Sequence, residues 1–588
     1  MEKEISKIVV EILKLRLKVS VENIEFQATR KEFKGDITIV LFPLLKKIKT
    51  TPNQLGELIG SELKSKLDLI EDYNLISGFL NLTISSSFYI SFLNRISKTS
   101  KFGHKNPNEK SDLIMVEYSS PNTNKPLHLG HIRNNLLGFS ISKILTANGY
   151  NVIKTQIIND RGIHICKSMI AWKIFGEKKT PSSDKIKGDQ FVGKYYVLYN
   201  QEYESQVQKL IRQGQSKDYA KSNAPIFIEA KKLLKKWESN DKEVWDLWRK
   251  MNNWVYEGFD STYKKLGVDF DSFYYESETY LLGKKIIEEG LKNKVFYSKK
   301  DGSVWVDLKS DGLDEKLLLR SDGTSVYMTQ DLGTAYKRFL DYPNISGMVY
   351  TVGNEQDYHF KVLFLILKKI GYKWSKNLFH LSYGMVDLPS GKMKSREGTV
   401  VDADQLINTM QDSAKLISNE NEKIKEVDNP EKLFLQIGLG ALKYFILKVD
   451  PKKRILFDPK ESFDFNGNTG PFIQYAYARI QSILRNRKKI DWNPKKINKI
   501  HLKEKEILKQ LFIYPEVVKN AGNELSPALI ANYLYDLVKI FNSFYQNISI
   551  LGEKDINIQN FRLILIKNVG QTIFNSSSLL GIELPDKM

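Results

Sequence analysis

The run Ser119-Ser120-Pro121-Asn122-Thr123-Asn124-Lys125-Pro126-Leu127-His128-Leu129-Gly130-His131 decides how this chain folds. Before it stand Ile114, Met115 and Val116, an apolar run closed by Glu117 and Tyr118, which reads as a strand. After it, residues 132–148 carry an amphipathic helical pattern, and Gly149 follows where a helix C′ position favours glycine. Residues 150–158 read as a second strand. The run is therefore the strand-to-helix turn of a βαβ unit. In an open parallel sheet such turns lie at the carboxyl ends of the strands, where ligands bind.

Two histidines three residues apart at a helix start share one face. Gly130 between them carries no side chain, so a flat ring or a phosphate can approach the backbone. A helix N-terminus favours anions. His128, His131 and the helix end together suit a triphosphate whose charge grows during reaction. A metal site is a competing reading, but no third His, Cys or carboxylate cluster stands at ligand spacing beside the pair. Two surface histidines are the other alternative; the Pro-Asn and Lys-Pro turn signals favour a ligand loop.

With 588 residues, several domains are expected. Hydrophobic residues at 41% and charged residues at 27% are ordinary for a soluble globular chain. No uncharged run is long enough to span a bilayer, and the start Met1-Glu2-Lys3-Glu4 is not that of a signal peptide. A single cysteine, Cys166, excludes internal disulfides and cysteine-based zinc sites and fits a reducing cytoplasm. The formal net charge of +20 suits a polyanion such as RNA. Richness in Lys, Ile and Asn together, with lysines spread evenly, also fits a biased genome composition.

Residues 1–105 read as a separate α+β domain, with helices over 5–19 and 52–67 and strands over 24–26, 35–42 and 78–84. Residues 101–110 read as a linker. Residues 111–400 carry the α/β pattern, broken over 176–260 by a charged helical insertion rich in tryptophan (Trp237, Trp245, Trp248, Trp254). Aromatics at that spacing are more often helix packing than a cofactor box. If the stretch from Tyr327 to Gly333 is helical, Tyr327 and Asp331 are one turn apart and side by side. The apolar strand entering Gly353, Gln356 and His359 is a second βα ligand loop. Tyr383-Gly384-Met385-Val386 leads to a third stretch, Gly391-Lys392-Met393-Lys394-Ser395-Arg396. A basic glycine-flanked loop can close over phosphates or be a solvated turn. Residues 401–465 form a connecting helical region. Residues 466–588 read as all-α, without strand alternation. Tyr475, Tyr477, Arg479, Arg485 and Arg487 interleave aromatics and cations, which can stack on and neutralise single-stranded RNA or, in part, form a bundle core.

His128-Leu129-Gly130-His131 resembles the HIGH motif of class I aminoacyl-tRNA synthetases, and the whole run from Ser119 is similar to the version in arginyl-tRNA synthetases. The order of features agrees along nearly the whole chain, down to the ending Leu580-Gly581-Ile582-Glu583-Leu584-Pro585. The resemblance implies a multidomain α/β fold. It has a central Rossmann-like parallel-sheet catalytic domain, an N-terminal α+β appended domain contacting the tRNA elbow, and an all-α C-terminal anticodon-binding domain. It implies ligation of L-arginine to tRNA(Arg) with ATP and Mg2+, through an arginyl-adenylate and no covalent side-chain intermediate. Neither zinc nor an organic cofactor is expected. Activation is expected to depend on tRNA, and a cytoplasmic monomer is the family expectation.

A guanidinium is planar, always charged and presents a fork of donors. Its pocket needs matching carboxylates and a ring over its face. The resemblance gives these roles to Glu117, Asp331 and Tyr327, with Asn122 and Gln356 on the amino-acid head group. His128, Gly130, His131, Gly353, Gly384, Met385, Val386 and Ser395 are the expected ATP contacts, with adenine near 384–386. The loop at 392–396 departs from KMSKS: Ser395 stands where the second lysine belongs. The phosphate-binding cation is therefore left among Lys125, Lys392 and Lys394. Two other readings stay open. A glutamyl- or cysteinyl-type class I enzyme would want cations or zinc cysteines that this chain lacks at those positions. A non-catalytic RNA-binding relative has only the irregular loop in its favour.

Overall fold

The computed structural model describes residues 1–30, 32–387, 389, 401–418, 428–464, 466–485 and 490–588. They form two compact units. One comprises Met1–Gly103, Arg479–Glu516 and Asp536–Asn575; the other comprises His104–Ala478, Val517–Tyr535 and Ser576–Met588.

The second unit is built on a five-stranded sheet. Its strands are β1 (Leu113–Glu117), β2 (Asn151–Ile158), β3 (Ser272–Tyr275), β4 (Ile345–Gly353) and β5 (Leu378–Tyr383), parallel throughout, in the order β5-β4-β1-β2-β3. Met115 and Val116 point to opposite faces and are both fully buried. That is why β1 reads as an unbroken apolar run rather than an alternating one. The chain leaves β1 toward β2 and later reaches β4 on the other side, so β1 lies at the switch point of the sheet.

Between β1 and β2 runs α1 (Leu129–Ala147), which begins three residues earlier than its apolar pattern suggests. It is not amphipathic in burial. Arg133, Asn134, Asn135, Ser140 and Ser142 are buried with the apolar positions. Several of these polar groups are used inside the protein instead. Asn134 Nδ2 donates to the Thr351 carbonyl (2.6 Å) and its Oδ1 accepts from the Ser119 amide (2.5 Å). Arg133 donates to the carbonyls of Pro451 (2.9 Å), Lys453 (2.7 Å) and Met385 (3.2 Å).

The connection from β2 to β3 is the helical insertion, with α2 (Gly188–Arg212) and α3 (Lys242–Leu266) as its long helices. Its tryptophans are packing: Trp237 and Trp245 stack at 4.9 Å, with Trp248 edge-on to Trp245 at 5.0 Å. Then come α4 (Tyr327–Asp341), α5 (Asp357–Ile370) and α6 (Ala403–Ser418). Val386–Asp387 pairs in parallel with Ile455–Leu456, a two-residue strand too short to leave an alternating signal beyond residue 440.

The first unit holds a four-stranded antiparallel sheet in the order Phe26–Ala28, Ile37–Val40, Phe79–Ile84, Ile70–Ile76. Ile70–Ile76 is absent from the sequence reading because it is an edge strand with one fully buried residue. The helix Pro52–Lys66 starts at a capping box made by Thr51 and Gln54. In the same unit Asp36 meets both Lys505 (2.9 Å) and Lys509. Among the described residues, no helix is long and apolar enough to cross a membrane.

Candidate active site

The loop after β1 is held on both sides. Ser119 takes a positive φ of 67°. The Asn159 amide donates to the Pro121 carbonyl (2.9 Å) and the Thr123 amide to the Asn159 carbonyl (3.1 Å), tying the loop to the residue after β2. His128 then caps α1 in an unusual way. Its Nδ1 accepts from the Gly130 amide (3.1 Å), while His131 Nδ1 accepts from the His128 amide (3.1 Å). This is a capping box with imidazoles in place of a hydroxyl and a carboxamide. A Cβ at Gly130 would stand 3.0 Å from His128 Cε1, so the flat ring that uses the space over Gly130 is that of His128. The two rings lie 3.9 Å apart.

Because each Nδ1 is an acceptor, each Nε2 carries the hydrogen. Burial, reinforced by Lys125, pushes His128 down to about 3. Burial, His128 and Lys125 push His131 well below its usual range. Both are neutral at neutral pH. They can offer hydrogen bonds to an anion, not positive charge.

The negative side of the site gathers near the start of α4. Tyr327 opens that helix and is 75% exposed, one turn from Asp331. His359 Nε2 lies 2.5 Å from Asp331 Oδ2 and holds that carboxylate. Glu276, absent from the sequence reading, belongs here. Its carboxyl is pushed up to about 7, first by burial, then by the charges of Asp160 and Asp331 against the pull of Arg161. That carboxyl makes no hydrogen bond or ion pair within the described residues. Its neighbour Ser277 is fixed by buried Asp160, which accepts from the Ser277 amide (2.9 Å), its hydroxyl (2.7 Å) and Tyr256 (3.0 Å). Gly333 brings this region against α4: a Cβ there would stand 2.6 Å from the Gly283 amide nitrogen. A lone acid after a short strand leaves no sequence signal; only the approach to Asp331 marks it.

Glu117 differs. It is 6% exposed and paired with the fully buried Arg338 of α4, whose guanidinium also lies over Tyr274 (5.0 Å) and Tyr350 (5.6 Å). Burial pushes the Glu117 carboxyl up, against the pull of Arg338. Its charge is thus matched within the protein. Asn122 and Gln356 are exposed.

Gly353 ends β4, and a Cβ there would make only ordinary contacts, the nearest 3.7 Å from Met385 Sδ. Gly384 is different: a Cβ would lie 2.6 Å from the Lys453 backbone, and its amide donates to Pro451 (2.9 Å). The Met385 carbonyl accepts from Ile455 (3.0 Å) as well as from Arg133, and Val386 is buried. Lys392, Lys394, Ser395 and Arg487 lie outside the described residues. On the helix Gly470–Arg485, Tyr475 and Arg485 are exposed but Tyr477 is buried. Residues two apart on a helix face nearly opposite ways, so Tyr477 is a packing residue rather than a stacking surface. Arg479 donates to Asn542 (3.0 Å) and lies over Tyr545. Among the described residues, no group of three His, Cys, Asp or Glu is placed to hold a metal ion.

Comparison with known proteins covers the whole chain. Residues 93–458 match the family model of tRNA synthetases class I (R), catalytic domain. Residues 473–588 match the DALR anticodon binding domain, and residues 1–84 the arginyl tRNA synthetase N terminal domain. An arginine–tRNA ligase of Flavobacterium psychrophilum is 57% identical over 582 residues, 97% of each chain. One of Bacteroides thetaiotaomicron is 53% identical over 574 residues, 96% of each. Among solved structures, the Thermus thermophilus arginyl-tRNA synthetase superposes with a TM-score of 0.78 at 23% identity, covering 100% of both chains. That of Plasmodium falciparum gives 0.75 at 21%, covering 100% of this chain and 99% of the other.

Proposed function

Because this chain belongs to the arginyl-tRNA synthetase family, we propose the following division of labour for the ligation of L-arginine to tRNA at the expense of ATP. The reading rests on one observation: of two helices packed on one sheet, one begins with two imidazoles that burial keeps neutral and the other with Tyr327 and Asp331, whose charge also reaches Glu276.

ATP enters as its Mg2+ complex. The Nε2–H groups of His128 and His131 donate to its phosphate oxygens, and their bonds strengthen as charge grows on the leaving pyrophosphate. Lys125, Lys392 and Lys394 supply the positive charge that the neutral histidines do not. Adenine lies against the backbone at 384–386, and Gly353 lines the same side. The substrate guanidinium is taken by Asp331 and Glu276 under the Tyr327 ring. Glu117, already paired, contributes an acceptor oxygen rather than a net charge. Asn122 and Gln356 hold the head group. The arginine carboxylate attacks the α-phosphorus in line, the bond to the bridging oxygen breaks, and pyrophosphate leaves. A terminal ribose hydroxyl of tRNA then attacks the adenylate carbonyl and AMP departs. Orientation of the two substrates supplies much of the acceleration. Lysine is rejected because a single ammonium leaves fork acceptors unpaired.

Residues 1–105 contact the tRNA elbow, residues 111–400 carry the catalysis, residues 401–465 connect, and residues 466–588 take the anticodon stem. Tyr475, Arg479 and Arg485 are the described residues given tRNA contacts. The enzyme acts as a cytoplasmic monomer, with tRNA required for efficient adenylate formation. The test is arginine-dependent ATP–pyrophosphate exchange with and without tRNA, with lysine and glutamate as controls. Exchange with arginine alone, rising when tRNA is added, is expected. Absence of exchange in a protein that still binds tRNA would leave a non-catalytic RNA-binding relative.

A further inference from the structure

The backbone on both sides of His128 is clamped by a segment far away in sequence. The Leu129 amide donates to the Val401 carbonyl (3.3 Å), and the Ala403 amide donates to the Leu127 carbonyl (2.9 Å). His128 and Asp402 face each other across this antiparallel bridge. The clamp continues directly into α6. Asp402 caps that helix through Oδ1, accepting from the amides of Asp404 (2.8 Å) and Gln405 (3.1 Å).

What fixes the clamp is a buried charge cluster at the start of α2. Lys187 Nζ meets Asp404 Oδ2, and also reaches Asp189 Oδ2 (3.1 Å) and the Thr262 hydroxyl (2.5 Å). Thr262, on α3, donates to the same Asp404 oxygen (3.1 Å). Asp189 is fully buried and Asp404 nearly so. Gln190 adds a bond to Asp402 Oδ2 (3.3 Å), while Lys265 reaches Asp404 only from the half-exposed rim (3.7 Å). The cluster sits in a frame without slack: a Cβ on Gly258 would stand 2.5 Å from Asp189 Oδ1, and one on Gly193 would stand 2.8 Å from Pro126. The same helix α2 therefore touches the histidine loop directly and holds its clamp through Lys187.

We propose that Lys187 is a positioning residue for His128. It neutralises two buried carboxylates and so keeps residues 401–403 in register with the backbone around that histidine. This rests on the role given above to the His128 Nε2–H. Removing the ammonium leaves Asp189 and Asp404 buried without their main counter-charge, and such groups draw in water or move apart. Movement of Asp404 passes through two residues of backbone to the bridge, and a displacement of about 1 Å at a reacting group costs on the order of 100-fold in rate.

The experiment measures arginine-dependent ATP–pyrophosphate exchange, with tRNA present, for the full-length wild type, Lys187→Met, Lys187→Arg and the double variant Lys187→Met/Asp404→Asn. Circular dichroism reports the folded fraction of each. The expected result is a fall in kcat of about 10- to 100-fold in Lys187→Met, with the KM for arginine within about twofold of wild type. Recovery of about fivefold or more is expected in the double variant, which removes one of the stranded charges, and a milder loss in Lys187→Arg. A folded Lys187→Met with wild-type kcat overturns the proposal. So does a kcat that only follows the folded fraction and is not recovered in the double variant. A wild type without arginine-dependent exchange overturns the role of His128 and this inference with it.

Discussion

The starts of α1 and α4 are both helix N-termini near the carboxyl end of the same sheet, and they present opposite electrical faces. At α1 the helix end is capped by imidazoles that burial keeps neutral, with Lys125 beside them. The helix dipole and two N–H donors are left for an anion. At α4 the first turns carry Tyr327 and Asp331, and the charge of Asp331 helps to raise the carboxyl of Glu276 against the pull of Arg161. The backbone device is the same; the side chains decide which sign of ligand it takes. Arg338 sharpens the contrast, because it pairs with Glu117 on α4's buried side and not with Asp331 or Glu276.

Three experiments press on this contrast. The largest effect is expected at α1. His128→Ala is expected to lower kcat for adenylate formation by about 10²–10³ with little change in arginine affinity; near-normal single-turnover formation would remove the imidazole from the phosphate side. Next, Asp331→Ala is expected to weaken arginine binding by about 2 kcal/mol or more while ATP binding barely moves. Calorimetry that finds both ligands equally affected would mean that α4 does not form a separate cation pocket. The smallest effect is a pH dependence. Glu276 is raised to about 7 in the free protein, and a bound guanidinium favours its ionised form. Arginine binding should therefore release a proton, weaken as pH falls through about 7, and level off above it. The expected change is about tenfold between about pH 8 and about pH 6. Glu276→Gln is expected to flatten this profile; a profile unchanged in the variant would assign the titration elsewhere.

Much of the site was legible before folding because local order carries it. A βα turn, two histidines and a glycine specify a ligand loop within 13 residues, and Tyr327 with Asp331 are neighbours wherever the stretch is helical. The buried polar face of α1 was not legible, since Asn134 Nδ2 and Arg133 find their acceptors more than 200 residues away. Nor was the packing of Tyr477, where helical phase rather than composition decides exposure.

The sequence by itself determined the strand–loop–helix unit, the division into an α/β middle and helical end, and which residue types stand in the loops proposed for phosphate and guanidinium binding. These depend on periodicity and on neighbours within a turn. Tertiary structure alone decided the charge state of each group. It neutralised the histidines by burial, matched Glu117 with Arg338, set Glu276 against Asp331, and joined Lys187 to the backbone at His128 through Asp404. Charge state depends on desolvation and on partners brought close only when the chain has folded, and no local pattern encodes either.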